Sequence, residues 1–153
     1  MDSVEPVLVE AVEALRELIL AGDQYRQHMT AYLALDMSQT QALSYLYSRG
    51  DMGQSELGAL LGFNTSSMTA LVDRLERDHI AERRPHPTDR RRSVVHLTDG
   101  GRKAMRTTGR WFVRAFDHVE PSHLPELAAA FTAIAADLRT HGLHMSNTPT
   151  IDG

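Results

Sequence analysis

Met52-Gly53-Gln54-Ser55-Glu56-Leu57-Gly58-Ala59-Leu60-Leu61-Gly62-Phe63-Asn64-Thr65-Ser66-Ser67 is the stretch on which the reading of this chain turns. Leu57, Leu60 and Leu61 share one side of a short helix, and Gly62 stops it. Phe63 fills the corner, and Asn64 offers its side-chain oxygen to the amides that open the next helix. Short helix, glycine turn and capped second helix make the helix-turn-helix pattern. The second helix, from Thr65 to about Asp78, carries Met68, Leu71, Val72 and Leu75 on one face. Thr65, Ser66, Ser67, Thr69, Ala70, Asp73 and Arg74 fall largely on the other. Hydroxyl side chains crowding a first turn compete with helical hydrogen bonds and serve stability poorly. They suit a helix tip that enters a groove and meets phosphates and base edges.

Two short strands follow, Ile80 to Arg84 and Ser93 to Leu97, the second rich in valine. Between them Pro85-His86-Pro87-Thr88-Asp89-Arg90-Arg91-Arg92 denies regular structure, so the pair reads as a β-hairpin with a basic tip, a wing. Upstream, Leu8, Val12, Leu15, Ile19, Gly22, Tyr25, Met29 and Tyr32 or Leu33 recur at helical spacing from Pro6 to about Leu35. A helix of about 28 residues exceeds roughly 40 Å, too long for one small domain to cover, and is expected to pack on a second subunit. Ser38, with Gln41 three residues on and Met37 and Ala42 at staple positions, is the expected cap of a helix from Gln39 to Arg49. Its expected core face is Ala42, Leu43, Leu46 and Tyr47, and Gly50 ends it.

Beyond the wing, Thr98 is the expected cap of a helix from Asp99 to about His118, which Gly100, Gly101 and Gly109 weaken. Pro121 breaks the chain, and a last helix starts at Ser122 or His123. Its stripe is Leu124, Leu127, Ala128, Phe131, Ile134, Ala135 and Leu138, and it is expected to end near Gly142. The expected organisation is a dimerisation helix over 1–34, a winged helix-turn-helix over 35–98, dimerisation helices over 99–142 and a flexible tail over 143–153. These form one structural domain, mainly α with a small antiparallel β wing.

A chain of 153 residues is of the size of a single domain. The formal net charge of -4 speaks against a nucleic-acid partner, but the charge is regional. Residues 83–92 hold Arg83, Arg84, Arg90, Arg91 and Arg92 against Asp89 alone, whereas residues 1–34 are acidic. Having no cysteine excludes disulfides, thiolate metal sites and cysteine chemistry. Neither a signal segment nor a membrane span is visible, so a cytoplasmic location is expected. There is no phosphate loop, nucleophile elbow or HExxH motif, so no enzyme and no cofactor are expected. His141 and His144 share helical spacing but lack further ligands, and no metal is expected.

Taken in order, Gln54-Ser55-Glu56-Leu57, Leu61-Gly62, Val72-Asp73-Arg74-Leu75-Glu76, Asp89-Arg90-Arg91 and Leu97-Thr98-Asp99-Gly100-Gly101 resemble the MarR family of transcriptional regulators. The resemblance covers roughly 130 of the 153 positions in element order. It implies an interlocked helical homodimer placing two winged helix-turn-helix units on a pseudo-palindromic operator in double-stranded DNA. Such a protein is expected to be a repressor released by a small aromatic or phenolic ligand. Ser66 and Ala70 depart from the proline and arginine that the family often carries there.

The expected DNA-binding residues are Thr65, Ser66, Ser67, Thr69, Arg74, Arg90, Arg91 and Arg92. Arg91 is expected in a minor groove, oriented by Asp89 through a charge-assisted bond, with Arg90 and Arg92 on phosphates. Arg74 is the expected guanine contact, and Asp73 is expected to pair with Arg77 or a wing arginine. The resemblance also implies an effector crevice, for which Tyr25, His28, Met29, Tyr32, Tyr45 and Trp111 are candidates. Two alternatives stay open: DNA binding without an effector, and a winged domain used for protein–protein contact.

Overall fold

The computed structural model describes residues 4–147. They form α1 (Val4–Leu33), α2 (Met37–Arg49), β1 (Met52–Gly53), α3 (Gln54–Leu61), α4 (Thr65–Arg77), β2 (Ala81–Pro85), β3 (Ser93–Leu97), α5 (Asp99–Val113) and α6 (Leu124–Asn147), with short 3-10 turns at Arg114–Phe116 and Pro121–His123. The mainly helical fold with a small antiparallel sheet is the one the sequence predicts. The chain divides between Trp111 and Phe112 into two compact units.

In the first unit the helix-turn-helix forms as its residues dictate. Gly62 takes a left-handed φ of 70° and ends α3, and the Asn64 side chain accepts from the Ser67 amide at 2.9 Å. Leu57, Met68, Leu71, Val72 and Leu75 are buried with Ala42, Leu43 and Leu46 of α2 and with Val95 and Leu97 of β3. Leu60, Leu61 and Phe63 pack at the edge of this core. Burying a leucine or methionine side chain contributes about 1.5 to 3 kcal/mol, so this cluster holds α4 in place.

The sheet order is β1-β3-β2, all antiparallel. β1 is a strand that the sequence does not announce. Its two residues, Met52 and Gly53, pair with Val95 and Val94, too short a run for alternation to register. It fastens the start of α3 to the wing's inner strand.

Other differences have local causes. α2 is capped by Asp36, not Ser38: Asp36 Oδ1 accepts from the Gln39 amide at 2.8 Å, and Gln39 Oε1 accepts from the Asp36 amide at 3.0 Å. The capping box is therefore Asp36 with Gln39, two residues earlier than expected, and Ser38 donates to the cap's carboxylate. α1 ends at Leu33 because Ala34, not a glycine, takes the left-handed turn with φ 53°. Tyr47 is exposed, and Thr40 and Gln39 take the buried face instead. Gln39 reaches across to donate to Asp78, the C-cap of α4, at 2.7 Å.

Gly100 and Gly101 are packing devices as well as poor helix formers. A Cβ on Gly101 would stand 2.2 Å from the Ile80 carbonyl oxygen, so only glycine lets α5 start against the base of the wing. Thr98 caps that start, as expected, by accepting from the Gly101 amide at 3.1 Å.

In the second unit, α6 follows the Pro121–His123 turn and runs to Asn147, past the expected stop at Gly142. The part of the expected tail over 148–153 lies outside the described residues. Leu124, Phe131, Ile134 and Leu138 are all exposed on α6. On α1, Val7, Leu8, Val12 and Ile19 are exposed likewise. Among the described residues no helix is long and apolar enough to cross a membrane.

Candidate nucleic-acid interface

The outward surface of α4 begins with Thr65, Ser66 and Ser67, all exposed, and continues with Thr69 and Ala70. Thr69 Oγ1 donates to the Thr65 carbonyl at 3.0 Å and accepts from Gln54 Nε2 at 2.9 Å. Gln54 is a residue to which the sequence reading gave no role. It stands at the first position of α3 and braces the middle of α4.

Arg74, the residue expected to contact guanine, is engaged within the fold. Its Nε donates to Asp36 Oδ2 at 3.1 Å, its Nη2 to Ser38 Oγ at 3.2 Å and its Nη1 to the Ala70 carbonyl at 3.4 Å. The guanidinium thus ties α4 to the start of α2. Spacing along α4 cannot reveal this, because the partner carboxylate lies 38 residues upstream. Partial burial alone would raise the Asp36 carboxyl. Hydrogen bonds from Ser38 and the Gln39 amide, with the Arg74 charge, outweigh that and hold it below its ordinary 3.8.

A depressed folded-state pKa stabilises above the unfolded value, and the contribution is lost as pH falls through the folded one. Asp36→Asn keeps a cap acceptor but removes the ion pair, worth about 0.5 to 1 kcal/mol at this half-exposed site. Denaturation midpoints should therefore separate wild type from Asp36→Asn at neutral pH and converge below about pH 3.8. An unchanged gap in acid would exclude the ion pair as its cause.

The hairpin sorts its five arginines by partner. Arg83 Nη2 bonds Asp73 Oδ1 at 2.8 Å, its Nη1 bonds Glu76, and its amide donates to Glu76 Oε1 at 2.8 Å. Asp73 thus pairs with an arginine of the hairpin, one of the two partners expected for it. Arg84 bonds Glu82 at 2.6 Å. Arg90, Arg91 and Arg92 are exposed and form no ion pair among the described residues.

Their loop is nonetheless ordered. The Arg92 amide donates to the Asp89 carbonyl at 3.0 Å, and the His86 amide to the Arg92 carbonyl at 2.9 Å. Asp89 Oδ1 accepts from the Arg91 amide at 3.1 Å. The carboxylate thus holds Arg91 through a charge-assisted bond to its main chain, and in doing so it sets the backbone turn. Short aspartate side chains commonly close turns in this way. Arg92 reaches back until its Nη2 is 3.9 Å from where a Cβ on Gly53 would stand.

A second feature of the first unit is a crevice of about 470 Å³ lined by Tyr25, His28, Met29, Tyr32, Thr108 and Trp111. Five of the six residues named as effector candidates come together there. Tyr45 does not. It packs against the winged-helix core with Arg49 stacked 5.2 Å from its ring centre, and Thr108 stands among the lining residues in its stead. Tyr25 Oη donates to the Thr108 carbonyl at 2.8 Å, joining α1 to α5. Burial raises its phenol above 10.0, which keeps it a neutral donor.

Comparison with known proteins agrees with this architecture. Residues 35–93 match the model of the MarR family. The uncharacterized HTH-type transcriptional regulator YkoM of Bacillus subtilis is 30% identical over 95 residues, which span 62% of this chain and 54% of YkoM. The chain thus spans about half the length of the curated relatives it matches first. Among solved structures, RV1404 of Mycobacterium tuberculosis superposes with a TM-score of 0.62 at 27% identity, over 85% of this chain and 91% of that one. A MepR variant of S. aureus, solved bound to an oligodeoxyribonucleotide, shares the fold at a TM-score of 0.57 and 19% identity, over 84% of this chain and 97% of its own. The part of the chain that matches the MarR family, residues 35–93, is the part that holds the helix-turn-helix and most of the wing described above.

Proposed function

We propose that the protein is a dimeric, sequence-specific DNA-binding transcriptional regulator, a repressor released by a small aromatic ligand. The observation that carries the DNA contact is the hairpin: Arg90, Arg91 and Arg92 stand exposed on an ordered turn, with no ion pair among the described residues. Three adjacent cations gain little from such crowding unless an anion meets them, and duplex DNA supplies dense negative charge. Arg91 enters the minor groove, while Arg90 and Arg92 meet phosphates. The polar tip of α4, Thr65 to Ser67, meets the major groove. MepR, a protein of the same fold, binds an oligodeoxyribonucleotide, which supports the assignment.

The homodimer is supported by the exposed apolar residues of α1 and α6, which a second copy would cover. The effector is supported by the aromatic crevice, whose volume suits a ring-sized molecule. A ligand there would alter DNA affinity only by preferring one arrangement of the two recognition helices.

Binding to duplex DNA selected from a randomised library, followed by fluorescence anisotropy, tests the DNA contact. Affinity is expected to fall steeply with salt. Binding indifferent to salt would favour a protein partner instead. Salicylate serves as the effector probe, because Trp111, the chain's single tryptophan, lines the crevice and reports occupancy by its emission. Unchanged emission and unchanged DNA affinity at millimolar salicylate would remove aromatic carboxylates from the mechanism.

A further inference from the structure

Granted the DNA contact proposed above, the chemistry exposed along α4 restricts which base pairs the helix can read. Guanine presents only acceptors, N7 and O6, to the major groove, so reading it takes a donor, best a bidentate arginine. At the centre of its outward strip α4 has no long donor that is uncommitted, and Arg77, at its C-terminal end, pairs with Asp78. Each nitrogen of the Arg74 guanidinium already donates within the fold, to Asp36, Ser38 and the Ala70 carbonyl. Thr69 has one hydroxyl proton, and it goes to the Thr65 carbonyl. The Gln54 amide, the nearest long donor on α3, is turned onto Thr69. Asp73, one turn further along, is an acceptor and bonds Arg83.

Residues three and four apart share a helix face, so Ser66, Thr69, Ala70 and Asp73 form the central outward strip of α4. With the Thr69 hydroxyl proton given to Thr65 and its oxygen already accepting from Gln54, the methyls of Thr69 and Ala70 dominate what the middle of that strip offers a base. The apolar group that a base edge displays in the major groove is the C5 methyl of thymine.

We propose that α4 reads an A·T pair in each half-site through the thymine methyl, with Thr69 and Ala70 as the contact and Gln54 as the brace that presents Thr69. Arg74 is then a positioning residue that anchors the helix and carries no base preference. Ser66 and Ser67, short and rotatable, add hydrogen bonds tolerant of base identity.

The test replaces each thymine of the library-selected duplex in turn with deoxyuridine, which removes the methyl and leaves every hydrogen-bonding group. One thymine per half-site is expected to lose about fourfold in affinity, the worth of one buried methyl. Thr69→Ser keeps the hydroxyl and its two bonds but lacks the methyl, so its preference for thymine over uracil should shrink to what Ala70 alone supplies. Thr69→Val keeps a methyl and should still prefer thymine. Arg74→Ala should leave the ratio between the two duplexes unchanged.

Indifference of the wild type to uracil at every position would overturn the methyl contact, even with tight binding. So would a loss that maps to 7-deazaguanine and vanishes in Arg74→Ala. No enrichment of any duplex from the library would overturn the DNA-binding assignment itself, and the methyl contact with it.

Discussion

Gly101→Ala is expected to destabilise the protein by about 3 kcal/mol or more, because the added carbon meets main chain and not the far end of a pliable side chain. Its Cβ would lie 2.2 Å from the Ile80 carbonyl oxygen and 3.1 Å from Leu97 Cδ2. Ile80 cannot yield cheaply. Its carbonyl accepts from the Thr98 amide at 3.1 Å and from Thr98 Oγ1 at 3.0 Å, and Thr98 in turn caps α5. Relief would therefore separate α5 from the base of the wing and uncap it together.

Gly109→Ala makes the internal comparison. A Cβ there has nothing within 4 Å, and exchanging helical glycine for alanine is worth up to about 1 kcal/mol. Urea midpoints of the two variants should move in opposite directions. A Gly101→Ala midpoint near wild type would mean that the close approach of α5 and Ile80 is not held in solution.

The second large effect is on DNA. Replacing Arg90, Arg91 and Arg92 together by alanine is expected to abolish detectable specific binding near physiological salt while leaving the folded stability almost unchanged. The stability half follows from the absence of ion pairs for these three residues among the described ones. Arg83, which bonds Asp73 and Glu76, is predicted to behave oppositely and to cost stability when removed.

The affinity half follows from counterion release. Each phosphate contact adds about 0.9 to the slope of log affinity against log salt, so Arg90 and Arg92 of both copies in the proposed dimer account for about 3.6 units. The triple variant should show a correspondingly shallower slope. Asp89→Asn, which retains an acceptor for the Arg91 amide, should bind close to wild type, whereas Asp89→Ala should bind more weakly through a looser turn. A triple variant with wild-type salt dependence would take the hairpin out of the interface.

Much of this molecule is legible one segment at a time. Gly62 and Asn64 determine where α3 stops and α4 starts, since a left-handed residue and an amide acceptor act within a few residues of themselves. The buried face of α4 follows from the period of Met68, Leu71, Val72 and Leu75. The basic tip follows from composition between two short strands. Even the crevice residues on α1 share a face by helical spacing.

What the chain order does not carry is partnership across distance. Asp36 claims Arg74, Gln54 claims Thr69, Thr108 takes the place expected of Tyr45, and Ile80 dictates glycine at position 101. Hydrophobic period and cap chemistry are local and repeat along the sequence, so they determined the elements and the winged helix-turn-helix pattern. Which arginine is spent on structure and which remains for an anion depends on where a carboxylate folded from elsewhere comes to rest, and only the tertiary structure decided that.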